Sequence, residues 1–138
     1  MRAAVLALAL AAAAMPAAAQ DKACTKADQA AAEKAVDRVV TWGQLLKAFQ
    51  DFRHCDSGPV DELFTDAVLR LTVEWKNVDA FADAMHKDAA FKAFVFKHLR
   101  SPAAKEDLES VYSRAKASCP PKQESFCAEL AEVAKPAK

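Results

Sequence analysis

His54-Cys55-Asp56 is the one place in this chain where an imidazole, a sulfur and a carboxylate are contiguous. A cysteine with a histidine as its base would be a nucleophile. Adjacent residues on a helix do not face each other, so the imidazole is expected to point away from the sulfur. The triplet suits a structural task instead. It reads as a disulfide cysteine at a helix end, a histidine favoured by the negative helix terminus, and an aspartate closing a turn.

Metal chemistry has few candidates. His54, His86 and His98 are the only histidines, and none are four apart as in H-E-x-x-H. Asp79, Asp83 and His86 share a helical face, which reads as a solvated acidic face. His98 lies beside an apolar stripe and reads as a core-edge histidine. No metal and no cofactor are expected. The chain has no Gly-rich phosphate loop, no G-x-S-x-G elbow and no calcium loop.

Carboxylates gather on one segment: Asp61, Glu62, Asp66 and Glu74. Two of them converging on a cleft would allow acid–base work. The spacing equally makes ordinary helical pairs, with Asp66 four before Arg70 and Arg70 four before Glu74. The expected interaction surface is this polar edge with its preceding turn: Asp56, Glu62, Asp66, Arg70 and Glu74. Phe96 falls off the apolar stripe of its own segment and is expected on the surface as a partner contact.

The elements that must position these residues are helical. Gly43 and Gly58 are the only glycines, and valine, leucine and phenylalanine recur at three- and four-residue spacing. The fold class is all-α, a single compact domain of five to six helices. The first helix spans about residues 26–53. Its apolar face rotates midway, Val36, Val39, Val40 and Gly43 giving way to Trp42, Leu45, Leu46, Phe49 and Phe52, so it is buried on two sides or bends near residues 41–43. Pro59 opens the second, with Ser57 or Gly58 as cap and Asp61 and Glu62 at its positive end. Val60, Leu63, Phe64, Ala67, Val68, Leu71 and Trp75 form its stripe. Asn77 and Asp88 cap two further segments, Ser101-Pro102 starts another, and a short last helix carries Phe126, Cys127, Leu130 and Val133. The tail from about residue 135 is expected to fray.

Residues 1–19 read as a signal peptide: Arg2, an apolar run from Ala3 to Ala14, Pro16, then Ala17-Ala18-Ala19 before cleavage ahead of Gln20. The run is shorter than the ~20 residues a membrane span needs. The mature domain, residues 20–138, has formal charge −1 once Arg2 is removed. That excludes nucleic-acid binding by counterion release, and no membrane span is expected in it. A periplasmic or secreted location follows. Cys24, Cys55, Cys119 and Cys127 then imply two disulfides. A straight first helix would hold Cys24 and Cys55 roughly 40 Å apart, where a bridge needs about 7 Å. A broken helix permits Cys24–Cys55 with Cys119–Cys127. Otherwise Cys55–Cys119 with Cys24–Cys127 is slightly preferred.

The run Phe52-x-His54-Cys55-Asp56-x-Gly58, with Glu62, Asp66-Ala67-Val68, Arg70-Leu71, Trp75, Phe91-x-Ala93-Phe94-Val95 and Cys119-Pro120, resembles small exported proteobacterial helical proteins of no assigned function. The resemblance covers residues 36–120. It implies export and a helical fold, and carries no catalytic residue across. The expected function is an exported, non-enzymatic binding protein with an envelope protein as partner, such as an inhibitor or immunity partner of an envelope enzyme. The alternative is a periplasmic small-ligand or metal-binding protein.

Overall fold

The computed structural model describes residues 22–137. Seven α-helices and three short 3-10 turns follow one another, with no strand among the described residues: α1 Lys26–Asp37, α2 Trp42–Phe52, α3 Pro59–Val73, α4 Val78–Lys87, α5 Ala89–Leu99, α6 Lys105–Ala117 and α7 Glu124–Ala134, one more than the five to six expected because the first helix is divided in two. The expected leader lies outside the described residues. No helix among them is long and apolar enough to cross a membrane.

The rotation of the apolar face in the first segment is resolved by a break. α1 ends at Asp37, and Thr41 caps α2 by accepting from the Gln44 amide at 3.2 Å. In the gap, the Gln44 side chain accepts from the Val40 amide, and Arg70 donates to the Val39 carbonyl. Both otherwise idle backbone groups are thereby satisfied. Val36 and Val39 are buried on one side of the break, and Trp42, Leu45 and Phe49 on the other. Val40, expected inward, is 71% exposed. The break lets its residue side chain swing outward while the backbone turns.

The break also decides the disulfides. Folding α1 back along α2 brings Cys24 to Cys55, with Cα atoms 4.9 Å apart. The turn at Pro120-Pro121-Lys122, where Lys122 takes φ 72, returns α7 onto α6 and joins Cys119 to Cys127 at 6.0 Å. The preference for Cys55–Cys119 with Cys24–Cys127 is therefore corrected. It followed from a straight first helix, which does not exist.

α3 starts where expected, with Pro59 in its first turn, and ends at Val73, so that Glu74 and Trp75, read as part of it, fall in its cap and in the 3-10 turn that follows. Gly58 precedes α3 at φ 55, ψ −132, a region open to glycine alone. A Cβ there meets no atom within 4 Å, so the cost of a side chain is purely backbone strain. Gly58→Ala is expected to lower stability by about 1–3 kcal/mol in urea titration. An unchanged midpoint would show that the turn relaxes without cost.

The core is aromatic. Trp42 stacks on Phe81 with centroids 4.0 Å apart, and Phe81 meets Phe126 edge-on at 4.8 Å, joining α2, α4 and α7. Phe49, Phe64 and Phe94 join α2, α3 and α5. Phe96 is buried with them at 7% exposure, not on the surface as expected. α5 packs against α3, α4 and α7, so its apolar face covers more of its circumference than one stripe.

Candidate functional site

The turn after α2 and the last turn of α5 meet at a polar cluster. Cys55 is fixed by its disulfide, and the two neighbours that sequence placed beside it diverge. His54 turns to Asp28, with Nε2 3.4 Å from Oδ2. Asp56 turns the other way, toward Lys97 and His98. With Cys55 oxidised, the triplet offers no thiol.

Asp28 has a second task at the start of α1. It forms a capping box with Thr25, accepting from the Thr25 amide while Thr25 Oγ1 accepts from the Asp28 amide at 3.0 Å. The Thr25 amide is the largest influence on its carboxyl; together with His54 and Lys22 it lowers the pKa to about 2. A carboxyl depressed in the folded state stabilises above its unfolded pKa, and the contribution is lost as pH falls through the folded value. Stability is therefore expected to decline from pH 3.8 toward about 2, with the Asp28 carboxyl carbon titrating near 2 by NMR. A midpoint at 3.8 would remove the box from the account.

His98 is the centre of the cluster. It is 1% exposed, wedged against Phe94 at 4.5 Å and Phe64 at 6.0 Å between ring centroids. Its Nδ1 shares a 2.7 Å hydrogen bond with Thr65 Oγ1 of α3. Its Nε2 faces Asp56 Oδ2 at 3.3 Å, off ideal hydrogen-bond alignment. Asp56 Oδ1 is buried without a partner. Lys97 reaches over from the exposed side, its Nζ 2.6 Å from Asp56 Oδ2 and 3.5 Å from Asp61 Oδ1. Burial pushes the Asp56 carboxyl up, but His98 and Lys97 together outweigh it and hold the group below the usual carboxylate range. Burial likewise disfavours the Lys97 ammonium, and the contacts to Asp56 and Asp61 more than restore it, raising its pKa.

Thr65 and Asp61 also face a groove of 320 Å³ between α3 and the α5–α6 corner. Asp61, Glu62, Asp66 and Asp107 line it, with Leu69 beneath, and no lysine or arginine does. Asp66 pairs with Arg70 at 3.0 Å, as its spacing predicts. Among the described residues, Glu62 and Asp107 have no cationic side chain within 4.0 Å.

The expected interaction surface thus divides. Glu62 and Asp66 stand together on the groove. Asp56 is drawn inward, its side chain only 10% exposed. Arg70 does not pair with Glu74; its second amine goes to the Val39 carbonyl, and Glu74 accepts from Asn77. Phe96 is in the core. Asp79, Asp83 and His86 are exposed, and His86 rests on the edge of Phe126. Sequence reasoning missed Thr65, Lys97, Asp107 and the role of His98. The signal available was polarity within the apolar stripes, at Thr65 on α3 and His98 on α5, which does not by itself pair them across 33 residues.

Aspartate, histidine and threonine in a row invite comparison with a nucleophile triad. The surroundings oppose that chemistry. Thr65 is 5% exposed in the middle of α3, where backbone amides are committed to the helix. An oxyanion forming there would face four carboxylates.

No family model matches the chain, and no curated protein or solved structure matches it.

Proposed function

We propose that the mature chain is an exported, non-enzymatic helical binding protein that recognises a cationic surface of an envelope protein through the acidic groove along α3. The observation that carries this is the convergence of Asp61, Glu62, Asp66 and Asp107 on one groove with no basic residue in its wall. Such a surface attracts basic partners and repels acidic ones, giving orientation and association rate. The two disulfides suit an oxidising compartment. An inhibitor or immunity partner of an envelope enzyme is a role that such charge complementarity suits.

Acid–base work by Asp56, Glu62 or Asp66, as in a hydrolase, has less support. An acid–base pair needs one carboxyl kept protonated by an apolar pocket. Glu62 and Asp66 are exposed to solvent, and Asp56 points away into the cluster with Lys97.

The test is co-purification from the cell envelope after mild crosslinking, comparing the natural chain with Glu62→Lys/Asp66→Lys/Asp107→Lys. The natural chain retains an envelope protein, and the variant, folded by circular dichroism, loses it. Retention of nothing, or equal retention by both, overturns the proposal.

A further inference from the structure

We propose that the Cys119–Cys127 disulfide is a thiol–disulfide exchange site, opened by a dithiol whose thiolate attacks Cys119 and expels Cys127, while Cys24–Cys55 stays closed as a structural bridge. Each bridge joins a more accessible cysteine to a buried one. Cys119 is half-buried and Cys127 buried; Cys24 is exposed and Cys55 buried. Access alone therefore does not favour the second bridge. What separates the two is the setting of the leaving sulfur, because exchange runs faster the more acidic the departing thiol.

Cys127 is the fourth residue of α7, in its first turn. Helical side chains lean toward the N-terminus, so its sulfur lies over the positive end of the helix dipole. Gln123, which precedes α7, makes no side-chain cap, so no capping oxygen offsets that end. A thiolate placed there is stabilised, as in reactive cysteines at helix starts. Glu124 shares the turn, but its carboxylate accepts from the Lys122 amide at 3.2 Å. Both cysteines line a groove of 310 Å³, which gives an incoming thiolate a path to Cys119. Lys116 lines it from α6, and Glu132 lies more than a turn beyond Cys127.

Cys55 has the opposite setting. It ends the 3-10 turn Arg53–Cys55 that follows α2, at the negative end of that helix, with the Asp56 carboxylate next in sequence. It packs in the main aromatic core, whereas Cys127 belongs to a small cluster with Ala115 and Ala131. A thiolate expelled at Cys55 would be both desolvated and repelled, which raises its pKa and slows its departure.

The exchange balances between the two partners. The dithiol's first thiolate bonds to Cys119 Sγ as the S–S bond breaks, and Cys127 leaves as a thiolate and takes a proton from water. The dithiol's second thiolate then attacks its own sulfur in the mixed disulfide and releases Cys119. The protein bridge gains two electrons and two protons, and the dithiol becomes a disulfide. Phe126 packed on Phe81, and Trp75 Nε1 donating to the Ser118 carbonyl, keep α7 and Cys119 in place meanwhile. The separation of 8 residues is short, so the bridge recloses readily. The assignment is independent of what the acidic groove recognises.

The experiment treats the disulfide-intact protein with dithiothreitol near neutral pH without denaturant, quenches by alkylation and maps the labelled cysteines by mass. Cys119 and Cys127 are expected to label about tenfold faster than Cys24 and Cys55, with circular dichroism unchanged. Reduced glutathione in place of dithiothreitol should be trapped on Cys119, with Cys127 as the free thiol. The inference is overturned if Cys24–Cys55 opens first, if both bridges open together, if neither opens before the chain unfolds, or if glutathione is found on Cys127.

Discussion

Replacing Cys24 and Cys55 together with serine is expected to lower the unfolding free energy by about 4 kcal/mol, and replacing Cys119 and Cys127 by about 2–3 kcal/mol. The difference comes from loop length. The first bridge spans 31 residues and the second 8, and closing the longer loop removes more entropy from the unfolded chain. Urea unfolding of the two double variants at one pH measures both. The reverse order would mean that native-state effects, not loop closure, set the bridges' contribution. The first bridge also bears on the polar cluster. Cys55 anchors the turn that delivers Asp56 to Lys97 and His98, so its loss should broaden the His98 imidazole signals as well as lower stability.

Phe81→Ala is expected to cost about 3–5 kcal/mol. Phe81 is 1% exposed, stacked on Trp42 and edge-on to Phe126, and it therefore ties α4 to two other helices at once. Its removal leaves a cavity that α2, α4 and α7 cannot all close. Stacking adds about 0.5–1.5 kcal/mol beyond buried area, so a double-mutant cycle with Trp42→Ala should show coupling of that size. Val40→Ala is the control. At 71% exposure it should change stability by less than about 0.5 kcal/mol. A loss below about 1 kcal/mol at Phe81 would contradict the packing described.

Some helix starts are legible because they have a local cause in the residues, whereas Asn77, expected to cap α4, makes no side-chain capping hydrogen bond. Pro59 with Asp61 and Glu62 marks the start of α3, and Asp88 accepts from the Ala90 and Phe91 amides to begin α5, as its position predicts. Even the break between α1 and α2 is written in the rotation from Val36 and Val39 to Trp42 and Leu45. Its outcome was ambiguous because helix periodicity records which faces are buried and not where the backbone turns. Once the break is known, the cysteine pairing follows.

The site was only half readable. Glu62 and Asp66 belong to one helix face, so their spacing places them together. Asp107 joins them from α6, and Asp56, Thr65, Lys97 and His98 come from three segments. Those meetings depend on how α3 and α5 pack, which is set by Phe64 against Phe94 and not by any local pattern. Phe96 misled for a related reason. A helix surrounded by neighbours buries residues that a one-stripe reading assigns to solvent.

The central claim is that the acidic edge of α3 is the face that meets another molecule. The most direct measurement places a photo-crosslinking amino acid in the protein at Glu62 or Asp107, with Lys34 of α1 as the comparison position. One crosslinked envelope partner is expected from positions 62 and 107, abolished by Asp66→Lys, and none from position 34. Crosslinks of equal yield from position 34, or none from the groove when position 34 gives them, would contradict it.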